Sequence, residues 1–486
     1  MGLFGILVAL SALMFLAFRG WTILLIAPAA ALLAAAFAAE PLLAHWTQTF
    51  MPAAATFVAQ FFPLFLLGAL FGKLMDDSGS VRAIADLMTQ KLGPERAILA
   101  VVLAGALVTY GGVSLFVAFF VIGPMGLALF RAGAVPRRLL PAALALGTST
   151  FTMSALPGTP AIQNAIPMPF FGTNPFAAPG LGIIAAIVMF GFGMLWLTYA
   201  QRRARASGEG FEAPSDTDPT PETASDDLTM RELATTAREF DPAEIDRGAR
   251  GPDTPGAIVA ILPLVMVILT NLVLSQVVLP RLDVSFLAEP RWGGVELSSV
   301  AGVWSVAAAL AAGILTLVAL NLPRLPDVRA SVDAGANASV LPILSVASLV
   351  GFGAVVAALP AFAMVRDWVL GIGGGPLVSL AVATNVLAAL TGSASGGMTI
   401  ALDALGETYM QIAAEAGINP ELMHRVAVIS SGTLDSLPHN GAVVTMLAVC
   451  GCTHRQSYLD IVMVAAVGAL VALAVVIGLG SVFGSF

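Results

Sequence analysis

Apolar runs of about 20 residues recur along the chain, each long enough at ~1.5 Å per residue to cross a bilayer core of ~30 Å. They predict spans at Leu3–Phe18, Trp21–Ala39 and Ala53–Gly72, followed by an amphipathic segment, Ser78–Leu92, at the membrane interface. The next apolar stretch, Ala97–Phe130, breaks at Thr109–Ser114, and its first limb is too short to span. It reads as a re-entrant hairpin whose Gly111-Gly112 tip stops at mid-membrane. A limb at Leu139–Leu146 runs into a polar, proline-containing break, Gly147–Pro160, then an outer loop, Pro167–Pro179, and a span at Leu181–Ala200. The second half predicts spans at Ile258–Leu279, Val300–Leu320 and Val340–Leu359. A second hairpin follows, with limb Leu377–Leu390, tip Thr391–Gly397 and a return near Gln411. Met423–Ile429 then enters, Gly432–Gly441 breaks it as GTLDSLPHNG, and Val443–Gly451 and Ile461–Leu479 complete the chain.

Composition agrees: 58% of the 486 residues are hydrophobic and 11% charged, against about 25% charged in soluble domains. This is the profile of an all-α polytopic membrane protein. Residues 1–39 share features with a signal peptide, but no basic region precedes the apolar run and Arg19 separates two stretches, so two retained spans are expected. Of the net charge of −8, residues 201–255 hold 7 Arg and 13 Asp plus Glu. That Pro/Ser/Thr-rich stretch is expected to be a largely disordered cytoplasmic loop with a short helix near Leu228–Phe240. It divides the chain into a first membrane repeat, 1–200, and a second, 256–486. Arg19, Lys73, Arg82 and Lys91, with Arg202, Arg203 and Arg205, place their segments in the cytoplasm and both termini outside. No basic patch supports nucleic-acid binding. The two cysteines, Cys450 and Cys452, cannot build a disulfide framework or a four-cysteine zinc site and read as packing thiols. No cofactor motif is present, since GIGGGP at Gly371–Pro376 lacks the spacing and lysine of a phosphate loop.

The halves repeat one another. AGAVP at Ala132–Pro136 pairs with AGINP at Ala416–Pro420, an offset of 284. Tyr110-Gly111 pairs with Thr391-Gly392 and Leu156-Pro157 with Leu437-Pro438, both at 281, and Gly147-Thr148 with Gly432-Thr433 at 285. With one hairpin opening inward and the other outward, the expectation is two inverted-topology repeats, each about five spans (one broken) plus a re-entrant hairpin. That is the plan of a secondary transporter with its site at the repeat interface.

Polar groups at membrane depth are costly unless they face a cavity or a partner, so the four breaks carry the site expectation. Candidate substrate contacts are Gly111, Gly112 and Ser114 at the first tip and Thr148, Ser149, Thr150, Pro157, Gly158 and Thr159 in the first break. The second half adds Gly392, Ser393, Ser395 and Gly396 at its tip and Gly432, Thr433, Ser436 and Asn440 in its break. None of the four stretches holds Lys or Arg, so an anion is expected to be held in one midplane pocket by half-helix N-termini, backbone N–H groups and hydroxyls. The alternatives are ordinary loops outside the membrane and small-residue helix packing. Asp435 and His439 are the candidate proton-coupling groups, with sodium as the alternative coupling ion, Asp403 and Glu407 as lesser candidates, and His45, His424 and His454 structural. Ser436 and His439 could imitate a nucleophile and base, but no oxyanion-hole motif accompanies them, so an enzyme is not expected.

At FGKLMDDSG, TYGGVSLF, GTSTFTMSALPGTPAIQ, TGSASGG and SSGTLDSLPHNGAV the chain resembles the gluconate:proton symporter (GntP-type) family of the ion transporter superfamily. The resemblance covers nearly everything outside the acidic loop. It implies proton-coupled import of a small hydroxy- or keto-carboxylate across a bacterial plasma membrane, a homodimer, and elevator movement of a transport domain against a scaffold. DSLPHNG and THRQSY look more like the branch for short hydroxy acids such as 3-hydroxybutyrate than the gluconate permeases proper. A passive anion channel is the alternative from another class.

Overall fold

The computed structural model describes residues 2–19, 21–211, 248–438 and 440–486. The expected helix at Leu228–Phe240 and the coupling candidate His439 lie outside them. Among the described residues there is no strand. Seven helices there are long and apolar enough to cross a membrane, and eight if two segments meeting at 104°, Ser80–Leu92 and Pro94–Tyr110, form one span.

The first half runs α1 (Gly2–Phe18), α2 (Ile23–Phe37), α3 (Leu42–Ala44), α4 (Met51–Asp77), α5 (Ser80–Leu92) and the hairpin α6 (Ala97–Tyr110) and α7 (Leu115–Ala132). Then come the broken helix α8 (Leu140–Thr148) and α9 (Phe151–Ser154), short α10 (Ile162–Ala165) and α11 (Pro167–Phe171), and α12 (Pro179–Ala206). The second half opens with α13 (Ala257–Val273), α14 (Leu297–Asn321), α15 (Val328–Ala338), α16 (Val340–Ala358) and α17 (Phe362–Leu370). Its hairpin is α18 (Pro376–Thr391) and α19 (Ala394–Ala416), its broken helix α20 (Pro420–Ser431) and α21 (Gly441–Cys450), and it ends with α22 (His454–Ile461) and α23 (Gly468–Phe483). Hairpin and broken-helix ends at Tyr110, Ala132 and Thr148 recur at Thr391, Ala416 and Ser431, offsets of 281, 284 and 283.

The polar interruptions are helix stops followed by helix starts. Ser114 caps α7 by accepting from Phe116 N, Ser393 caps α19 by accepting from Gly396 N at 3.2 Å, and Asn440 caps α21 by accepting from Ala442 N at 2.7 Å. Such caps satisfy N–H groups that hydrocarbon would leave unpaired. Gly392, at φ +65°, ends α18 in the left-handed region that favours glycine. At the molecule's centre α4 packs on α14, α15 and α16, α6 packs on α8, and α18 on α20.

Three expectations change. Helix α4 continues past Gly72, so Lys73, Asp76 and Asp77 are buried within the protein instead of lying in a cytoplasmic turn. Their charges neutralise one another, which is what lets them leave water. The segment at Ser78–Leu92 is not simply an interfacial helix, because Val81, Ile84 and Ala85 of α5 are buried against α6 and α13. The Pro167–Pro179 loop contains α11, whose Met168 and Phe171 are buried, and α11 packs on α14 and α20. Cys450 and Cys452 are buried free thiols, as expected.

Candidate functional site

The expected single pocket is divided into two cavities. The larger, about 180 Å3, is lined by Gly112 and Ser114 of the first hairpin tip, Ser395 of the second, and Pro160–Gln163 after the first break. Helix α4 adds Gly68, Gly72, Lys73 and Asp76. This volume lies below the ~300–1,000 Å3 of pockets for drug-sized ligands and suits an acid of a few carbons. The smaller, about 40 Å3, is lined by Ser149 and Ser154 of the first break and Gly432, Asp435, Ser436 and Asn440 of the second. A water's share of liquid volume is ~30 Å3, so this space fits water and protons but no organic acid. Leu115, Met153 and Gln163 line both.

The remaining predicted residues serve the walls. A Cβ on Gly111 would run into Leu264, so this glycine admits close packing of α13. Thr148 and Thr150 each donate to the carbonyl four residues back, Leu144 and Leu146, at 2.7 Å, and both are buried. Pro157 O accepts from Tyr110 Oη at 2.8 Å, and Gly158 O accepts from Asn271 Nδ2 at 3.0 Å. Thr159 is fully buried, and its carbonyl accepts from Asn164 Nδ2 at 3.1 Å. Ser393 lies 3.2 Å from the Ser395 hydroxyl. A Cβ on Gly396 would strike Leu349, and Thr433 donates to Ser430 O at 2.9 Å. Asp403 and Glu407 are exposed and line neither cavity.

In the smaller cavity Asn440 Nδ2 donates to Asp435 Oδ1 at 2.9 Å and to Gly392 O at 2.9 Å, joining the second break to the second hairpin tip. From outside, His454 Nε2 lies 2.8 Å from Pro438 O, and Tyr458 Oη donates to Ser436 O at 3.2 Å. His424 is fully buried between Thr173 Oγ1 at 2.6 Å and Asn164 Oδ1 at 3.2 Å, a structural position.

Sequence reasoning missed the charges around the larger cavity. Lys73, 5% exposed, pairs with fully buried Asp77 at 3.0 Å, one helical turn on. Arg250, just beyond the acidic stretch, pairs with Asp76 at 3.3 Å, and Gly251 N donates to Asp77 O at 2.8 Å. Gln163 was also missed, and its buried Oε1 has no hydrogen-bond partner among the described residues. Arg425, fully buried in α20, donates to Ala177 O at 2.6 and 3.2 Å and to Ser154 O at 3.3 Å. The only local signals were a lysine and two aspartates directly after an apolar run and an arginine within one.

A helical bundle with apolar spans and buried, capped helix breaks around cavities defines an integral membrane transporter. Residues 1–223 match the family described as GntP family permease. The chain is 41% identical over 465 residues to the uncharacterised transporter YxjC of Bacillus subtilis (strain 168), covering 94% of each protein. The chain belongs to the GntP permease family. Among solved structures, the Alcanivorax borkumensis YdaH transporter shares the fold at TM-score 0.51 and 16% identity, over 89% of this chain and 88% of that one. Neisseria gonorrhoeae MtrF, described with a class of antimetabolite efflux pumps, matches at TM-score 0.50 and 15% identity, over 89% and 83%.

Proposed function

We propose that this permease is a proton-coupled secondary transporter importing a small hydroxy- or keto-carboxylate, such as 3-hydroxybutyrate or gluconate. The observation that carries the reading is the larger cavity, where both hairpin tips meet a buried lysine. Lys73 and Arg250 offset Asp76 and Asp77, so the cluster is formally neutral. An entering carboxylate leaves one negative charge over unless a cation enters with it, and burying an uncompensated charge is costly. Asp435, in the adjoining water-sized cavity, is the proton site, with His439 joined to it on sequence grounds.

In this reading residues 1–200 and 256–486 are inverted repeats around the 201–255 loop, which is cytoplasmic, with both termini outside. The hairpins and broken helices form a transport domain moving as an elevator against a scaffold, and the protein is a homodimer. The test is uptake into proteoliposomes across C3 to C6 acids, with proton and sodium gradients imposed separately. Accumulation driven by a proton gradient and trans-stimulated by preloaded acid supports the reading. Accumulation driven by sodium alone replaces the coupling ion, and flux without trans-stimulation makes the protein a channel.

A further inference from the structure

We infer that Lys73 and Gln163 form a two-point recognition site in the larger cavity, Lys73 taking the substrate's carboxylate and Gln163 accepting a hydrogen bond from its hydroxyl. The inference rests on the carboxylate-transporter reading and adds to it the residues that select the substrate.

Lys73 is the only lysine or arginine lining either cavity. A buried ammonium needs a counter-charge, and Asp77 supplies one at 3.0 Å. An ammonium carries three donors in a compact head, so holding Asp77 leaves it able to take a carboxylate from the cavity side. The bond to Asp77 keeps the cation in place while the site is empty.

Gln163 supplies the second point. Its buried Oε1 has no partner among the described residues, and the side chain lines the cavity that holds Lys73. An acceptor left unpaired in a buried site favours a ligand that brings a donor. A hydroxyl brings one; a ketone or a methylene does not. The pair therefore reads both ends of a short hydroxy acid, the anion at Lys73 and the hydroxyl at Gln163. Because Gln163 also lines the Asp435 cavity, the hydroxyl end of the substrate lies toward the proposed proton site.

The test uses the full chain in proteoliposomes with labelled 3-hydroxybutyrate, or with gluconate if that is the better carried. Competitors are the matching keto acid, deoxy acid and primary amide. The wild type should prefer the hydroxy acid over the keto and deoxy acids by ~10-fold or more, and Gln163→Leu should collapse that preference. The double variant Lys73→Gln/Asp77→Asn removes both charges together and avoids stranding either. It should raise KM for the acid ~10-fold or more. A merely structural ion pair instead predicts a wild-type KM in the double variant.

Reductive methylation of Lys73 in the wild type, read by mass spectrometry, gives a test independent of variant folding: the transported acid should protect Lys73 and its amide should not. An unchanged hydroxy preference in Gln163→Leu, a wild-type KM in the double variant, or equal methylation with and without the acid would overturn the inference. A wild type that carries no acid at all overturns the transport reading instead.

Discussion

Asn440 ties Asp435 to the tip of the second hairpin, its amide donating to the Asp435 carboxylate and to Gly392 O, each at 2.9 Å. A proton arriving at Asp435 weakens the acceptor that orients this amide, and the amide's other bond holds the turn that starts α19. Charge at Asp435 and position of the hairpin are thereby linked through one side chain. Asp435→Asn keeps the shape and removes the titration. We expect it to abolish accumulation against a proton gradient while leaving exchange of preloaded acid in place. Equal proton-driven accumulation in the variant and the wild type would remove Asp435 from the coupling role.

Asn440→Ala removes that link together with the α21 cap, in which Asn440 Oδ1 accepts from Ala442 N at 2.7 Å and Val443 N at 3.3 Å. Loss of such a cap costs ~0.5–2 kcal/mol. Thermal unfolding in detergent should show a lowered Tm, and the pH dependence of uptake should flatten. Asn440→Asp keeps the cap acceptor but sets a second carboxylate against Asp435, so it should restore much of the Tm without restoring the pH profile.

Two glycine substitutions separate the cavity from its wall. A Cβ on Gly68 meets nothing within 4 Å, and Gly68 lines the larger cavity, so Gly68→Leu should fill the site and block uptake with Tm nearly unchanged. A Cβ on Gly111 collides with Leu264, so Gly111→Leu should lower stability, with overpacking costing ~1–3 kcal/mol. Uptake and Tm measured together should give opposite patterns for the two variants. Normal uptake by Gly68→Leu would place the substrate elsewhere.

The breaks were legible in the sequence because their causes are local. Glycine stops a helix, and Ser114, Ser393 and Asn440 each cap the next one within three residues. Which polar groups reach a cavity was not legible. Thr148 and Thr150 look like pocket hydroxyls but turn back onto their own helix. Lys73 looks like a charge flanking a span. Its burial depends on Asp77 one turn further and on a chain segment that brings Arg250 to Asp76 from 174 residues away. Gln163 carried no distinguishing pattern at all, since only tertiary packing sets it between two cavities.

Arg425 supplies the last prediction, because it is a buried charge that the proposed transport chemistry does not use. It lines neither cavity, and its guanidinium clamps Ala177 O and Ser154 O, 248 and 271 residues distant. The clamp holds the end of the first broken helix against the start of α12. Hydrogen bonds from a charged donor are worth ~1.5–3 kcal/mol each, so Arg425→Met should destabilise by ~3 kcal/mol or more through the carbonyls it strands. Arg425→Lys should recover only part of this, since a point charge cannot reproduce the planar fork that reaches Ala177 O through two nitrogens at once. Both variants should lose folded protein in detergent while the fraction that folds keeps a wild-type KM. A raised KM at unchanged Tm would instead make Arg425 a substrate contact and move the anion site away from Lys73.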